Sequence, residues 1–161
     1  MFTEEPTIEE IDQRFLGLAL REAEIAGEKG EVPIGAVVVL ENKVIGRGHN
    51  QNKTLQDPTA HAEMIAITAA CNRIGSRYLE DATLYVTVEP CAMCAGALVL
   101  ARLRRLVYGA DDPKAGACGS LLNLVQEPRL NHQVQVTGGV REAECAGLIS
   151  DFFEKIRREQ K

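Results

Sequence analysis

Two short clusters hold the side chains best suited to chemistry: His61-Ala62-Glu63 and, 30 positions after the histidine, Pro90-Cys91-Ala92-Met93-Cys94. Cys91 and Cys94 are three apart, so on a helix their side chains share one face and can grip a single ion. Each cluster directly follows a loop or strand and opens a predicted helix. A helix N-terminus favours negative charge, which lowers a thiol pKa and presents thiolates to a metal. One His and two Cys make a zinc site with three protein ligands and a fourth position open to water, the arrangement of catalytic rather than structural zinc. Two thiolates and a neutral imidazole cancel the zinc charge, leaving the bound water as the group able to lose a proton. Glu63 stands two residues from His61, so on a helix it projects in another direction and is a poor co-ligand. It is well placed to stand beside that water instead. Zinc lowers the pKa of such a water from about 15.7 to about 7. A carboxylate alongside can take the proton and pass it to a ring nitrogen, then to a leaving amine. That is the chemistry of hydrolytic deamination at an amidine-like carbon of a nucleobase.

A Cys-x-x-Cys pair with a distant His also occurs in structural zinc sites and in redox pairs. A closed structural site calls for a second Cys-x-x-Cys or Cys-x-x-His, and the remaining Cys71, Cys118 and Cys145 are isolated. They read as small buried hydrophobes. A thioredoxin-like pair leaves His61-Ala62-Glu63 without a purpose. Five cysteines is an odd number, and the acidic opening MFTEEPTIEEID lacks the basic and apolar regions of an export signal. A disulfide framework is therefore not expected, and a cytoplasmic location is.

The elements that position these clusters follow from periodicity and punctuation. Thr7 with Glu10 makes a capping box opening a helix to about Ala26, with Ile8, Ile11, Phe15, Leu18 and Ala19 at helical spacing and Gly27 and Gly30 as its end. Ile34–Leu40 and Lys43–Gly48, joined by Glu41-Asn42, read as a hairpin. The polar stretch Gln51–Thr59 then delivers the chain to a helix from His61 to about Asn72. Ala82–Val88 reads as a strand, Cys91–Leu100 as a helix, Arg105–Tyr108 as a short strand and Gly109–Ser120 as a loop of small residues. Val134–Thr137 is extended, and Arg141–Arg158 is a helix with Leu148, Phe152 and Ile156 at four-residue spacing. Strands alternating with helices give α/β layers with a mainly parallel sheet after the first hairpin.

At 161 residues the chain is expected to form one domain spanning 1–161, and no repeat, linker or membrane-length apolar run divides it. Its 45% apolar and 25% charged residues exclude disordered and fibrous classes. A net charge of −5 argues against a non-specific coat for nucleic acid, because phosphate binding runs on Lys and Arg.

The pattern H-x-E…P-C-x-x-C is that of the zinc deaminases of nucleobases, and here the sequence resembles the cytidine-deaminase-like superfamily. Within it the resemblance is to the bacterial tRNA-specific adenosine deaminases. It runs through Val32–Val37, His49-Asn50, Asp57–Glu63, Thr83–Ala97, the Tyr108–Ser120 loop and the closing Cys145…Leu148-Ile149-Ser150-Asp151-Phe152-Phe153. The resemblance implies a three-layer α/β/α sandwich around a five-stranded mixed sheet, a homodimer, and conversion of adenosine to inosine at the wobble position of a tRNA anticodon. Carried over by position, His61, Cys91 and Cys94 bind one zinc per chain and Glu63 shuttles protons. Asn50 hydrogen-bonds the flipped base, Val32 and Pro33 form apolar pocket wall, and Asp112, Lys114 and Phe153 lie near the RNA. Asp111, where some relatives carry a basic residue, and Pro113 depart from the family pattern in that loop.

Other roles compete at several of these positions. Asn50 also reads as a cap on a turn after the hairpin. Phe152 shares the helical stripe with Leu148 and Ile156 and reads as core, whereas Phe153 lies off it and is free to stack. Arg102, Arg104 and Arg105, with the tail Lys155, Arg157, Arg158 and Lys161, read either as an RNA footprint or as ordinary solvated faces. A deaminase of a free base or nucleoside (guanine, cytosine or cytidine) would share every zinc-site residue. His61 in place of a Cys as first ligand disfavours a cytidine deaminase, and the basic helix after Phe152-Phe153 favours a polymer. A non-catalytic zinc module that binds RNA or protein would have no use for Glu63.

Overall fold

The structure is a computed structural model describing residues 3–161. Met1 and Phe2, where the reading of the opening segment begins, lie outside the described residues. Helix α1 (Ile8–Glu28) starts as its sequence dictates: Thr7 Oγ1 accepts from the Glu10 N–H at 3.2 Å, and Glu10 accepts from the Thr7 N–H at 3.1 Å. It does not end at Gly27. That residue stays helical, and the break comes at Lys29 and Gly30, where Gly30 takes φ 76°, a left-handed conformation suited to glycine.

Strands β1 (Gly35–Leu40) and β2 (Lys43–His49) form the hairpin. Glu41 and Asn42 both have positive φ, 51° and 62°, the pair of left-handed residues a two-residue hairpin turn with the native twist requires. Helix α2 (Ala62–Ile74) crosses to β3 (Thr83–Val88), α3 (Ala92–Leu100) leads to β4 (Arg105–Ala110), and β5 (Gln135–Thr137) precedes α4 (Glu142–Glu159). Gly109 and Ala110, expected in the following loop, belong to β4.

The five-stranded sheet has the order β2-β1-β3-β4-β5. β3, β4 and β5 run parallel, but β1 is antiparallel to both its neighbours, so the sheet is mixed. The α2 crossover explains this: it returns β3 parallel to β2 and on the far side of β1. Side-chain alternation gives each face its own core. Ala36, Val38, Leu84, Val86 and Leu106 face α2 and α3, while Val37, Val39, Tyr85 and Val107 face α1 and α4. The result is the three-layer α/β/α sandwich. The buried Asp12 of α1 accepts two hydrogen bonds from Arg105 (2.7 and 2.6 Å) and one from the Tyr85 hydroxyl (2.9 Å), tying α1 to the sheet. Arg105 is therefore a structural cation paired with Asp12 rather than part of a solvated face. No helix among the described residues is long and apolar enough to cross a membrane.

Candidate active site and metal centre

The chemistry-bearing residues gather where α2 and α3 begin. Both helices start one residue later than expected, so His61 and Cys91 are extended N-cap residues and Cys94 lies in the first turn of α3. Helix α2 is seated directly on β2. A Cβ added to Gly48 would lie 2.3 Å from the Ala62 carbonyl, so only glycine permits that approach. The Asn50 side chain supplies the cap that His61 does not: its Oδ1 accepts from the Ala62 N–H at 3.0 Å. Asn50 is thus a helix cap rather than a turn cap.

His61 Nδ1 lies 3.5 Å from Cys91 Sγ and 3.5 Å from Cys94 Sγ, and the three donor atoms all fall within 4.8 Å of one another. With metal–sulfur bonds of about 2.3 Å and a metal–nitrogen bond of about 2.05 Å, the N···S edge of a tetrahedron is about 3.6 Å. The donor set and its spacing therefore fit a tetrahedral metal with three protein ligands. The Cys94 thiol and, against the cost of burial, the N–H groups of Cys94 and Met93 at the start of α3 pull the Cys91 thiol down to about 5. Cys94, the donor in that pairing, is pushed up by Cys91 and by burial. The Glu63 carboxyl, 4% exposed, lies outside the group of mutually close donor atoms, and burial pushes its pKa up.

A cavity of about 470 Å³ is lined by Val32, Ile34, Val88, Asp112, Lys114 and Phe153 among others. Four of the residues expected near the substrate thus meet here, from three distant stretches of chain. Pro33 is buried and is not among the lining residues; Ile34 takes that place. Ile34 also links the cavity lining to the cap of α2, because its carbonyl accepts the Asn50 N–H at 3.1 Å. Phe153 is 41% exposed, and Phe152, half-buried rather than core, packs edge-on against it at 5.4 Å. Arg104, Lys155, Arg157, Arg158 and Lys161 are exposed or largely so, with Arg158 paired to Glu154.

Besides Asp12, two buried carboxylates escaped the sequence reading. Glu31 accepts from the Lys53 N–H (3.1 Å), the Thr54 N–H (2.7 Å) and the Thr54 hydroxyl (2.8 Å), so it holds the loop that runs from Asn50 to His61. Glu89 holds the loop that follows β4, through the N–H groups of Asp112, Cys118 and Ser120. Burial opposes ionisation of both, but these hydrogen bonds outweigh it and keep each below the ordinary carboxylate range. The available signal was an acidic residue set against proline, as in Glu31-Val32-Pro33 and Glu89-Pro90.

A mixed five-stranded sheet between two helical layers, with His-x-Glu and Pro-Cys-x-x-Cys brought together at two helix N-termini, defines a deaminase of the cytidine-deaminase-like class. Residues 11–157 match the MafB19-like deaminase family. The chain is 53% identical over 150 residues to a tRNA-specific adenosine deaminase of Bacillus subtilis (strain 168), covering 93% of each. It is 50% identical over 143 residues to one from Aquifex aeolicus (strain VF5), covering 89% of this chain and 94% of that one. Among solved structures, one from a study of A-to-I editing by tRNA:A34 deaminases at the wobble position of transfer RNA superposes with a TM-score of 0.81 at 50% identity, covering 84% of this chain and 98% of that one. The chain belongs to the tRNA-specific adenosine deaminase family.

Proposed function

We propose that this protein hydrolyses adenosine to inosine at the wobble position of a tRNA anticodon, as one zinc-dependent domain spanning residues 1–161. The observation that carries the reading is the triangle of His61 Nδ1, Cys91 Sγ and Cys94 Sγ, with the Glu63 carboxyl buried nearby but outside it. Those three residues would hold one zinc ion. Zinc there supplies Lewis-acid activation of a water molecule near neutral pH.

The protein's own groups do the rest. Glu63 takes a proton from the attacking water and delivers it to N1 of the adenine as the oxygen bonds to C6. It then carries the second proton to the exocyclic amine, so that the C6–N bond breaks and ammonia leaves. Water is consumed, ammonia released, and the carboxylate regenerated. Asn50, with Oδ1 fixed on α2, offers Nδ2 to the base. Val32 supplies apolar wall, with Pro33 buried behind it, and Asp112, Lys114 and Phe153 face the flanking nucleotides. An anticodon loop presents bases already unstacked, which lowers the cost of extruding one into the site and lets an acidic protein read RNA through pockets.

A homodimer belongs to the same reading, supported by apolar side chains left in solvent, Leu100 (79% exposed) foremost, with Leu121 and Leu122. So does a cytoplasmic location, where tRNA is found.

The test is incubation of zinc-loaded protein with an adenosine-wobble tRNA transcript, with guanine, cytosine and cytidine in parallel. Inosine at the wobble position, found by nuclease digestion and mass spectrometry, is the expected result. Ammonia from a free base with untouched tRNA would keep the zinc chemistry and overturn the RNA half.

A further inference from the structure

None of the steps above uses Glu89. It sits just past the end of β3, two residues before Cys91, and is 3% exposed. No Lys, Arg or His pairs with it among the described residues. Four donors from a single loop converge on it instead. The Asp112 N–H reaches Oε1 at 3.1 Å, together with the Ser120 hydroxyl. The N–H groups of Cys118 and Ser120 reach Oε2 at 3.1 and 3.0 Å. The loop backbone is wrapped tightly on the carboxylate, since a Cβ added to Gly116 would lie 2.4 Å from it. The same loop carries Asp112 and Lys114 to the cavity that Phe153 also lines.

We infer that Glu89 is a positioning residue for substrate binding. It fixes the shape of the 111–120 loop, and through the loop it places Asp112 and Lys114 against the RNA. The inference rests on the tRNA-deaminase reading, and it assigns Glu89 an effect on substrate affinity rather than on metal loading or proton transfer. The chemistry of the contact singles out a carboxylate. Both oxygens accept two hydrogen bonds, so an amide in its place would aim an NH2 at two donors. Hydrogen bonds to an ionised group are also about twice as strong as neutral ones.

The experiment compares zinc-loaded wild type, Glu89→Gln and Ser120→Ala on an adenosine-wobble anticodon stem-loop. It reads kcat, KM, zinc per chain and amide hydrogen exchange. Glu89→Gln is expected to keep one zinc per chain and a kcat within about threefold of wild type. Its KM rises about tenfold or more, the size expected when a hydrogen bond to a charged group is lost. Exchange quickens at residues 112–120 and not in α2. Ser120→Ala, which removes one of the four donors, moves KM the same way by about threefold. A fall in kcat or zinc with KM unchanged would assign Glu89 to the metal-bearing turn and overturn the inference. Unchanged KM and unchanged exchange would also overturn it, because the loop would then hold itself. Should Glu89→Gln fail to fold, an unchanged KM in Ser120→Ala suffices to overturn it. If wild type leaves the stem-loop untouched, the deaminase reading fails separately. Exchange in Glu89→Gln then decides the loop half: faster exchange confined to 112–120 supports it, and unchanged exchange sinks it.

Discussion

Glu63 and Cys94 are both buried at the same centre, yet their removal should have opposite signatures. Glu63→Ala takes away the proposed proton carrier and none of the three close donor atoms. Turnover on a wobble-adenosine tRNA is expected to fall by about 10² to 10⁴, the usual share of a general acid–base group, with zinc content unchanged. Loss of zinc in that variant would place Glu63 among the ligands. Cys94→Ser replaces a thiolate by a hydroxyl that stays protonated at neutral pH, so the ion loses one of three bonds. Metal analysis should find well under one zinc per chain, and one zinc per chain would refute the ligand assignment. These residues were legible because their partners are announced by short-range spacing: two residues for His61 and Glu63, three for Cys91 and Cys94. Glu31 and Glu89 were not. Their partners are mostly backbone N–H groups, with one hydroxyl each, 22 to 31 residues away, and a backbone donor leaves no mark on the composition of the loop that offers it.

The loop from Asn50 to His61 carries a prediction of its own through Glu31. Burial raises the cost of ionising this carboxyl, but the Thr54 and Lys53 hydrogen bonds win and its pKa falls below the reference 4.5. Folding therefore favours the ionised form. The stabilisation is fully present above the unfolded value and disappears as pH drops through the lower folded value. Urea midpoints of wild type and Glu31→Gln should differ most near neutral pH and converge in acid below 4.5. Both proteins share the same metal site, so acid release of the ion cancels in the difference. A gap that stays constant into acid would mean that ionised Glu31 adds nothing to stability. Helices and strands were far more readable than such loops. The capping box of α1, the Glu41-Asn42 turn and the four helices all follow from local pattern. The antiparallel pairing of β1 with β3 does not, because it depends on where the α2 crossover returns the chain, a fact of chirality and packing rather than of local sequence. The Asp12–Arg105 pair, 93 residues apart, is hidden for the same reason, and Arg105 therefore reads as a surface cation until the sheet is assembled.

A chain of net charge −5 that binds RNA must concentrate its attraction in a few places. The last nine residues, Phe153 to Lys161, hold four basic and two acidic side chains, so a chain ending at Phe152 has a net charge of −7, that is, −5 less 2. This tail contributes little to the fold. The part of α4 that packs on the sheet is Cys145 and Leu148, while of the tail only Ile156 is half-buried. Truncation after Phe152 is accordingly expected to leave zinc content and melting temperature nearly unchanged while raising KM for the tRNA. Two contributions to that rise can be separated. Phe153→Ala removes only a stacking surface beside the cavity, worth about 1–3 kcal/mol per base where stacking is made, which is about 5- to 150-fold in KM at any salt concentration. The basic residues act through phosphate, so their share should shrink as salt rises, with the logarithmic slope falling by about 0.7 for each lost contact to single-stranded RNA. The measurement is KM against salt for wild type, Phe153→Ala and the truncated chain. Parallel lines for wild type and Phe153→Ala, with a flatter line for the truncated chain, are the expected outcome. Three coincident lines would mean that the end of α4 never meets the RNA. The substrate would then be held by the cavity and the 111–120 loop alone.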